Sequence, residues 1–97
     1  MVLLAVVRLG GTAYGVTITE EIGGRTGRDV SLGAVYKTLE RLEDKGFVAA
    51  RIGEPTAERG GRRKKHYRVL AAGQRALRDS VHAIRRMTEG LEPGLRL

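Results

Sequence analysis

The chain has 97 residues, with 18 Lys plus Arg against 11 Asp plus Glu and a formal net charge of +7 at neutral pH. That length supports one hydrophobic core, and a hydrophobic share of 41% is too high for a disordered chain. The absence of cysteine excludes a disulfide framework, a thiolate-held metal and a cysteine nucleophile, and two histidines, His66 and His82, are too few for a metal cage; neither metal nor cofactor is expected. Three Tyr, one Phe and no Trp do not make a platform for stacking single-stranded bases.

The first apolar run, residues 2–7, has no basic segment before it and no small-residue cleavage site after it. It is too short for a signal-peptide core or a membrane span. It therefore reads as a buried helix over 2–9 in a soluble cytoplasmic protein with no membrane partner. Gly10-Gly11 breaks that helix. A second helix opens at Tyr14-Gly15 and runs to about 25, with Ile18 and Ile22 on one face and Thr26-Gly27 as its close.

The third helix, 32–45, carries the strongest local signals. Ser31 is a good N-cap, and Val30 and Val35 are spaced as a hydrophobic staple. Leu32, Val35, Leu39 and Leu42 form one apolar stripe. The opposite side carries Gly33, Ala34, Lys37, Arg41 and Asp44, with Tyr36 and Thr38 on the flanks. Gly46 is the stop.

Two short strands follow, at 47–53 and 65–70, joined by a long loop. A last helix spans 74–90. In it Leu77, Val81, Ile84, Thr88 and Leu91 recur at the spacing of a coiled-coil seam, with Thr88 as a polar interruption. Pro93 and Gly94 mark a frayed tail over 92–97.

The surplus charge is local. Residues 59–68 hold Arg59, Arg62, Arg63, Lys64, Lys65 and Arg68 and no acid, which leaves about +1 for the rest of the chain. Such a run on a glycine-bearing loop points to a polyanion. The element order predicts a mainly α protein with a small β-hairpin, a winged helix-turn-helix. Residues 1–73 are the expected DNA-binding domain, and 74–91 the expected C-terminal dimerisation helix.

This arrangement suits double-stranded DNA. A helix entering the major groove presents its N-terminal turn to base edges. Gly33 and Ala34, with Ser31 before them, are small enough for close approach. Lys37 and Arg41 lie one turn apart on the outward face. Tyr36 serves either as a core-edge ring or as a contact to phosphate or a thymine methyl. The cations between the strands supply the salt-dependent backbone term. The seam of the last helix packs either on the first helix or on a second copy. The favoured form is a two-fold homodimer on half-sites roughly 34 Å apart, and so a pseudo-palindromic operator.

The stretches 13–16 (AYGV), 31–46 (SLGAVYKTLERLEDKG), 60–69 (GGRRKKHYRV) and 72–73 (AG) resemble the PadR-like family of bacterial transcriptional regulators, over about residues 2–85. The resemblance implies a winged helix-turn-helix with a C-terminal dimerisation helix, and transcriptional repression that a small molecule relieves in some members. By position it places Tyr14, Ser31, Gly33, Tyr36 and Lys37 near DNA, and Arg62, Arg63 and Lys64 in the wing. An effector pocket would lie at the dimer interface. Two departures stand out. Leu70 occupies a position where members often carry a capping Thr, at a cost of about 1 kcal/mol. The chain also starts almost inside its first helix, where many members have a longer lead-in.

Two other readings compete. A winged helix binding a protein or RNA would call for an apolar or acidic outward face on 33–41, where this one is small and basic. An enzyme would need a nucleophile–base pair or paired carboxylates in an apolar setting, and none can be placed. His66 and His82 are expected to be solvated.

Overall fold

A computed structural model of the chain describes residues 1–55, 63–91 and 94. Arg59, Arg62 and nearly all of the expected tail lie outside the described residues. The elements run α1 (Val2–Leu9), a 3₁₀ turn (Gly10–Thr12), α2 (Gly15–Thr26), α3 (Leu32–Asp44), β1 (Val48–Pro55), β2 (Arg63–Val69) and α4 (Ala71–Thr88). The fold is a winged helix: three helices packed around one core, an antiparallel hairpin, and a last helix.

Local chemistry explains the helix ends. Tyr14 N–H donates to the Thr17 hydroxyl at the start of α2, and that hydroxyl donates in turn to the Thr12 carbonyl. Ser31 accepts from Ala34 N–H at 3.1 Å, as the cap of α3 requires. At the far end, Gly46 N–H bonds the Glu43 carbonyl and Phe47 N–H the Leu42 carbonyl, with Gly46 at φ 75°. This is a Schellman stop, whose left-handed residue favours glycine.

Ile18, Leu39, Val6, Val35 and Val48 are the largest fully buried side chains, one or two from each of α1, α2, α3 and β1. Val30 and Leu42 pack against that core as the staple and stripe predict, but Leu32 is 39% exposed. It sits on the first turn of α3, beyond the edge of the core. Burying each such apolar side chain contributes about 1.5–3 kcal/mol. Arg8 of α1 and Arg25 both bond Glu21 of α2, and together they hold its carboxyl below the usual range, Arg25 more than Arg8.

The sheet has a feature that the strand pattern alone does not predict. Besides the pairing of β1 with β2 from Val48↔Val69 outward, Tyr14 bridges His66, and Tyr67 N–H donates to the Ala13 carbonyl at 2.8 Å. Residues 13–14 thus border β2 on its other side. Side chains alternate across this sheet. Val48, Ala50, Lys65, Tyr67 and Val69 share the face that meets the core. Tyr14, Ala49, Arg51, Gly53, Lys64, His66 and Arg68 share the outer face.

The last helix starts at Ala71, three residues before its expected start, and no side chain caps it at Leu70. The anchor is backbone instead: Leu70 N–H donates to the Phe47 carbonyl at 2.8 Å. Gly73 is buried there, and a β-carbon on it would run into that same Phe47 carbonyl. Among the 18 residues of α4, Gly73 alone is buried. The molecule is correspondingly elongated, 53 × 28 × 20 Å.

Candidate nucleic-acid interface

The outward front of α3 matches the expectation from its sequence. Gly33, Ala34, Lys37 and Arg41 are all exposed. Lys37 and Arg41 have no ion-pair partner among the described residues. A β-carbon on Gly33 would meet nothing within 4 Å, so no neighbour inside the molecule demands glycine at this helical position. Lost helix propensity costs about 1 kcal/mol there. Ser31 is exposed, with its oxygen committed to the cap.

Tyr36 combines the two roles weighed for it. Its ring lies against Gly15, so that a β-carbon on Gly15 would fall 2.5 Å from Tyr36 Cζ and Oη. Even so, the residue remains 45% exposed. The residue before Gly15, Tyr14, meets the wing. Lys64 Nζ donates to Tyr14 Oη at 3.3 Å and stands 4.6 Å from the ring centroid, a cation–π arrangement. The path Tyr36–Gly15–Tyr14–Lys64 thus joins the flank of α3 to the first described residues of the basic stretch, in β2.

His66 corrects an expectation. It is half-buried rather than solvated, edge-on to the Tyr14 ring at 5.4 Å between centroids. Its Nδ1–H donates to the Lys64 carbonyl at 3.1 Å. A β-carbon on Gly53 would come 3.1 Å from the imidazole, so glycine at 53 makes room for the ring. Tyr14 enters the site through the family resemblance alone, and its partner His66 escapes the sequence reasoning. The signal that could have found it is strand alternation, which puts Lys64 and His66 on one face.

The same alternation separates Lys64 from Lys65. Lys65 is on the core-side face, 3.6 Å from the Glu43 carboxylate of α3 and 5.7 Å from the Tyr67 ring. This ion pair is half exposed and contributes little to stability. Burial pushes the Tyr67 hydroxyl above its usual range, with Glu43 and Tyr36 adding to the effect and Lys65 opposing it. Arg63 opens β2.

Along α4, Leu77 and Val81 are half-buried and line an open apolar groove of about 370 Å³ with Leu4 and Val7 of α1. Arg78, His82 and Arg85 edge it. Farther along, Ile84 is 49% exposed, Met87 80% and Leu91 40%, while Thr88 turns its hydroxyl to the Arg85 carbonyl. No helix among the described residues is long and apolar enough to cross a membrane.

Residues 3–79 match the family model described as the transcriptional regulator PadR-like family. The chain belongs to that family. Among solved structures, a PadR family transcriptional regulator from Eggerthella lenta is 24% identical with a TM-score of 0.73, covering 93% of this chain and 76% of its own. A PadR family regulator from Clostridium difficile is 20% identical, also at 0.73, covering 91% and 88%. PadR of Bacillus subtilis, solved in complex with operator DNA, is 26% identical at 0.66, covering 82% of this chain and 43% of that one. Among curated proteins nothing matches the sequence. In this PadR-like chain the matched span takes in α1 to β2 and the first half of α4, and so the whole Tyr36–Gly15–Tyr14–Lys64 path.

Proposed function

We propose that this PadR-like regulator is a sequence-specific repressor that binds double-stranded DNA as a homodimer, with α3 as recognition helix and the hairpin as wing. The carrying observation is the run of contacts from Tyr36, on the flank of α3 beside its small, basic front, through Gly15 and Tyr14 to Lys64 at the loop end of β2. The operator complex of the Bacillus subtilis relative supports it. In this reading Gly33 and Ala34 let the backbone approach base edges, and Lys37 and Arg41 reach bases or phosphates. Tyr14 and Tyr36 offer hydroxyls to phosphate. Arg59, Arg62, Arg63 and Lys64 neutralise backbone charge, with Lys65 shared with Glu43.

Dimerisation rests on α4. Its start is held by Phe47 and its middle by Leu4 and Val7 of α1, but farther along Ile84 and Met87 are exposed, an apolar side open to a second copy. Residues 1–73 then form the DNA-binding unit. The 74–91 seam of Leu77, Val81, Ile84, Thr88 and Leu91 meets a second copy, and an effector would enter beside it, in the groove against α1. The protein would act in the cytoplasm, where its DNA partner is.

Selection of bound duplexes from a random pool tests the proposal. Two inverted half-sites roughly 34 Å apart are expected; a single unpaired site, or no enrichment, would overturn it. Within the selected site, Lys37→Ala should erase about 1–3 kcal/mol of preference at one base position per half-site. Equal loss on operator and random DNA would reassign Lys37 to phosphate.

A further inference from the structure

The outer face of the hairpin carries a cationic cleft that none of the roles above uses. Gly10, Gly11, Ala49, Arg51, His66 and Arg68 line a space of about 150 Å³. Arg51 lies directly across from His66, and Arg68 is the next residue of β2 on the same face. Arg51 and Arg68 are thus diagonal neighbours of like charge across the two strands. Neither arginine has an ion pair or a side-chain hydrogen bond among the described residues, so the fold gains nothing visible from the pairing. The floor is small: β-carbons on Gly10 or Gly11 would meet nothing within 4 Å. The imidazole of His66 is fixed in place by Tyr14, Gly53 and the Lys64 carbonyl.

From these observations we infer that the Arg51–His66–Arg68 cleft binds a phosphate group of the DNA backbone, extending the footprint from Tyr14 and Lys64 across the outer face of the hairpin. The inference rests on the DNA-binding reading. Its chemistry is that of guanidinium forks on phosphate oxygens, and it carries no base specificity. The position of the cleft argues for a backbone phosphate. It shares a sheet face with Tyr14 and Lys64, which lead through Gly15 to Tyr36 of α3, and the inference is that a duplex held by α3 also reaches it.

The test is affinity for operator and random duplexes as a function of salt, for the parent and for R51Q/R68Q. Glutamine keeps most of the side-chain stem while removing the charge. The double variant should weaken both duplexes alike, and the slope of log affinity against log salt should become shallower by about 0.9 for each phosphate no longer neutralised. R51K/R68K should retain the slope. If the double glutamine variant does not melt cooperatively, R51Q and R68Q singly carry the test. A parent slope that the glutamine variants leave unchanged overturns this inference alone. A parent without salt-dependent duplex binding overturns the repressor reading with it. Inorganic phosphate, titrated at constant ionic strength into DNA-free protein, separates the sources of the anion. Saturating shifts of the Gly10 and Gly11 amide resonances at millimolar phosphate would assign a free-ion site and overturn the backbone assignment; unchanged resonances are expected.

Discussion

Replacing Gly15 with Ala probes the contact that links α3 to the start of α2. The new methyl would fall 2.5 Å from Tyr36 Cζ and Oη, so the ring has to swing away. Tyr36 is 45% exposed, so a little over half of its surface is covered. For a side chain of roughly 200 Å² that is about 110 Å², or at most about 2.8 kcal/mol at 25 cal/mol per Å². Against this, alanine gains about 0.5–1 kcal/mol over glycine in a helix. Gly15→Ala should therefore destabilise the protein by about 1–2 kcal/mol, whereas in a Tyr36→Ala background the same change should stabilise it by about 0.5–1 kcal/mol. Urea denaturation of the four proteins closes the double-mutant cycle, with an expected coupling near 2 kcal/mol. Additivity within about 0.5 kcal/mol would refute the idea that the two residues touch.

Gly33→Ala should behave in the opposite way, raising stability by up to about 1 kcal/mol because its site is open and helical, while weakening operator binding. Unchanged affinity would remove the close-approach role. Ile84→Asp places a charge on a half-exposed seam position, leaving the protomer fold intact and splitting the dimer. An unchanged mass in sedimentation would mean that α4 is not the interface. Glu21 has its carboxyl lowered by Arg25 and Arg8. Its contribution is present above the ordinary carboxylate range and is lost as pH falls through the lowered value. The gap in thermal midpoint between the parent and Glu21→Gln should narrow on acidification, and a constant gap would exclude this linkage.

Much of the site is legible in the sequence because its signals are short-range. Ser31, the Val30/Val35 pair and the Leu39 stripe specify α3 within a few turns, and the exposed Gly33–Lys37–Arg41 front follows from helix geometry. The divergence of Lys64 and Lys65 is in principle readable from the period-two alternation of a strand. The expected strand begins at Lys65 and leaves Lys64 in the loop, which hides it, because β2 starts at Arg63 and takes in both. The expectation of a solvated His66 fails for another reason: Tyr14, 52 positions away, borders β2 and covers the imidazole. Leu70 is a weak start for a helix by side-chain capping, yet α4 extends back to Ala71, because the Phe47 carbonyl supplies the anchor that a side-chain cap would have given.

What the amino-acid order by itself determined is the set of elements, their order, and the family to which the chain belongs. Helix periodicity, N-caps and left-handed glycine stops all act between residues a few positions apart. The tertiary structure alone decided which of those residues meet. It set Tyr14 against Lys64 and His66, seated Tyr36 on Gly15, and left Ile84 and Met87 on α4 exposed. These contacts join residues some 20 to 50 positions apart in the chain. They exist only once the buried faces of α1, α2, α3 and the hairpin have closed on one another, and no local pattern encodes that closure.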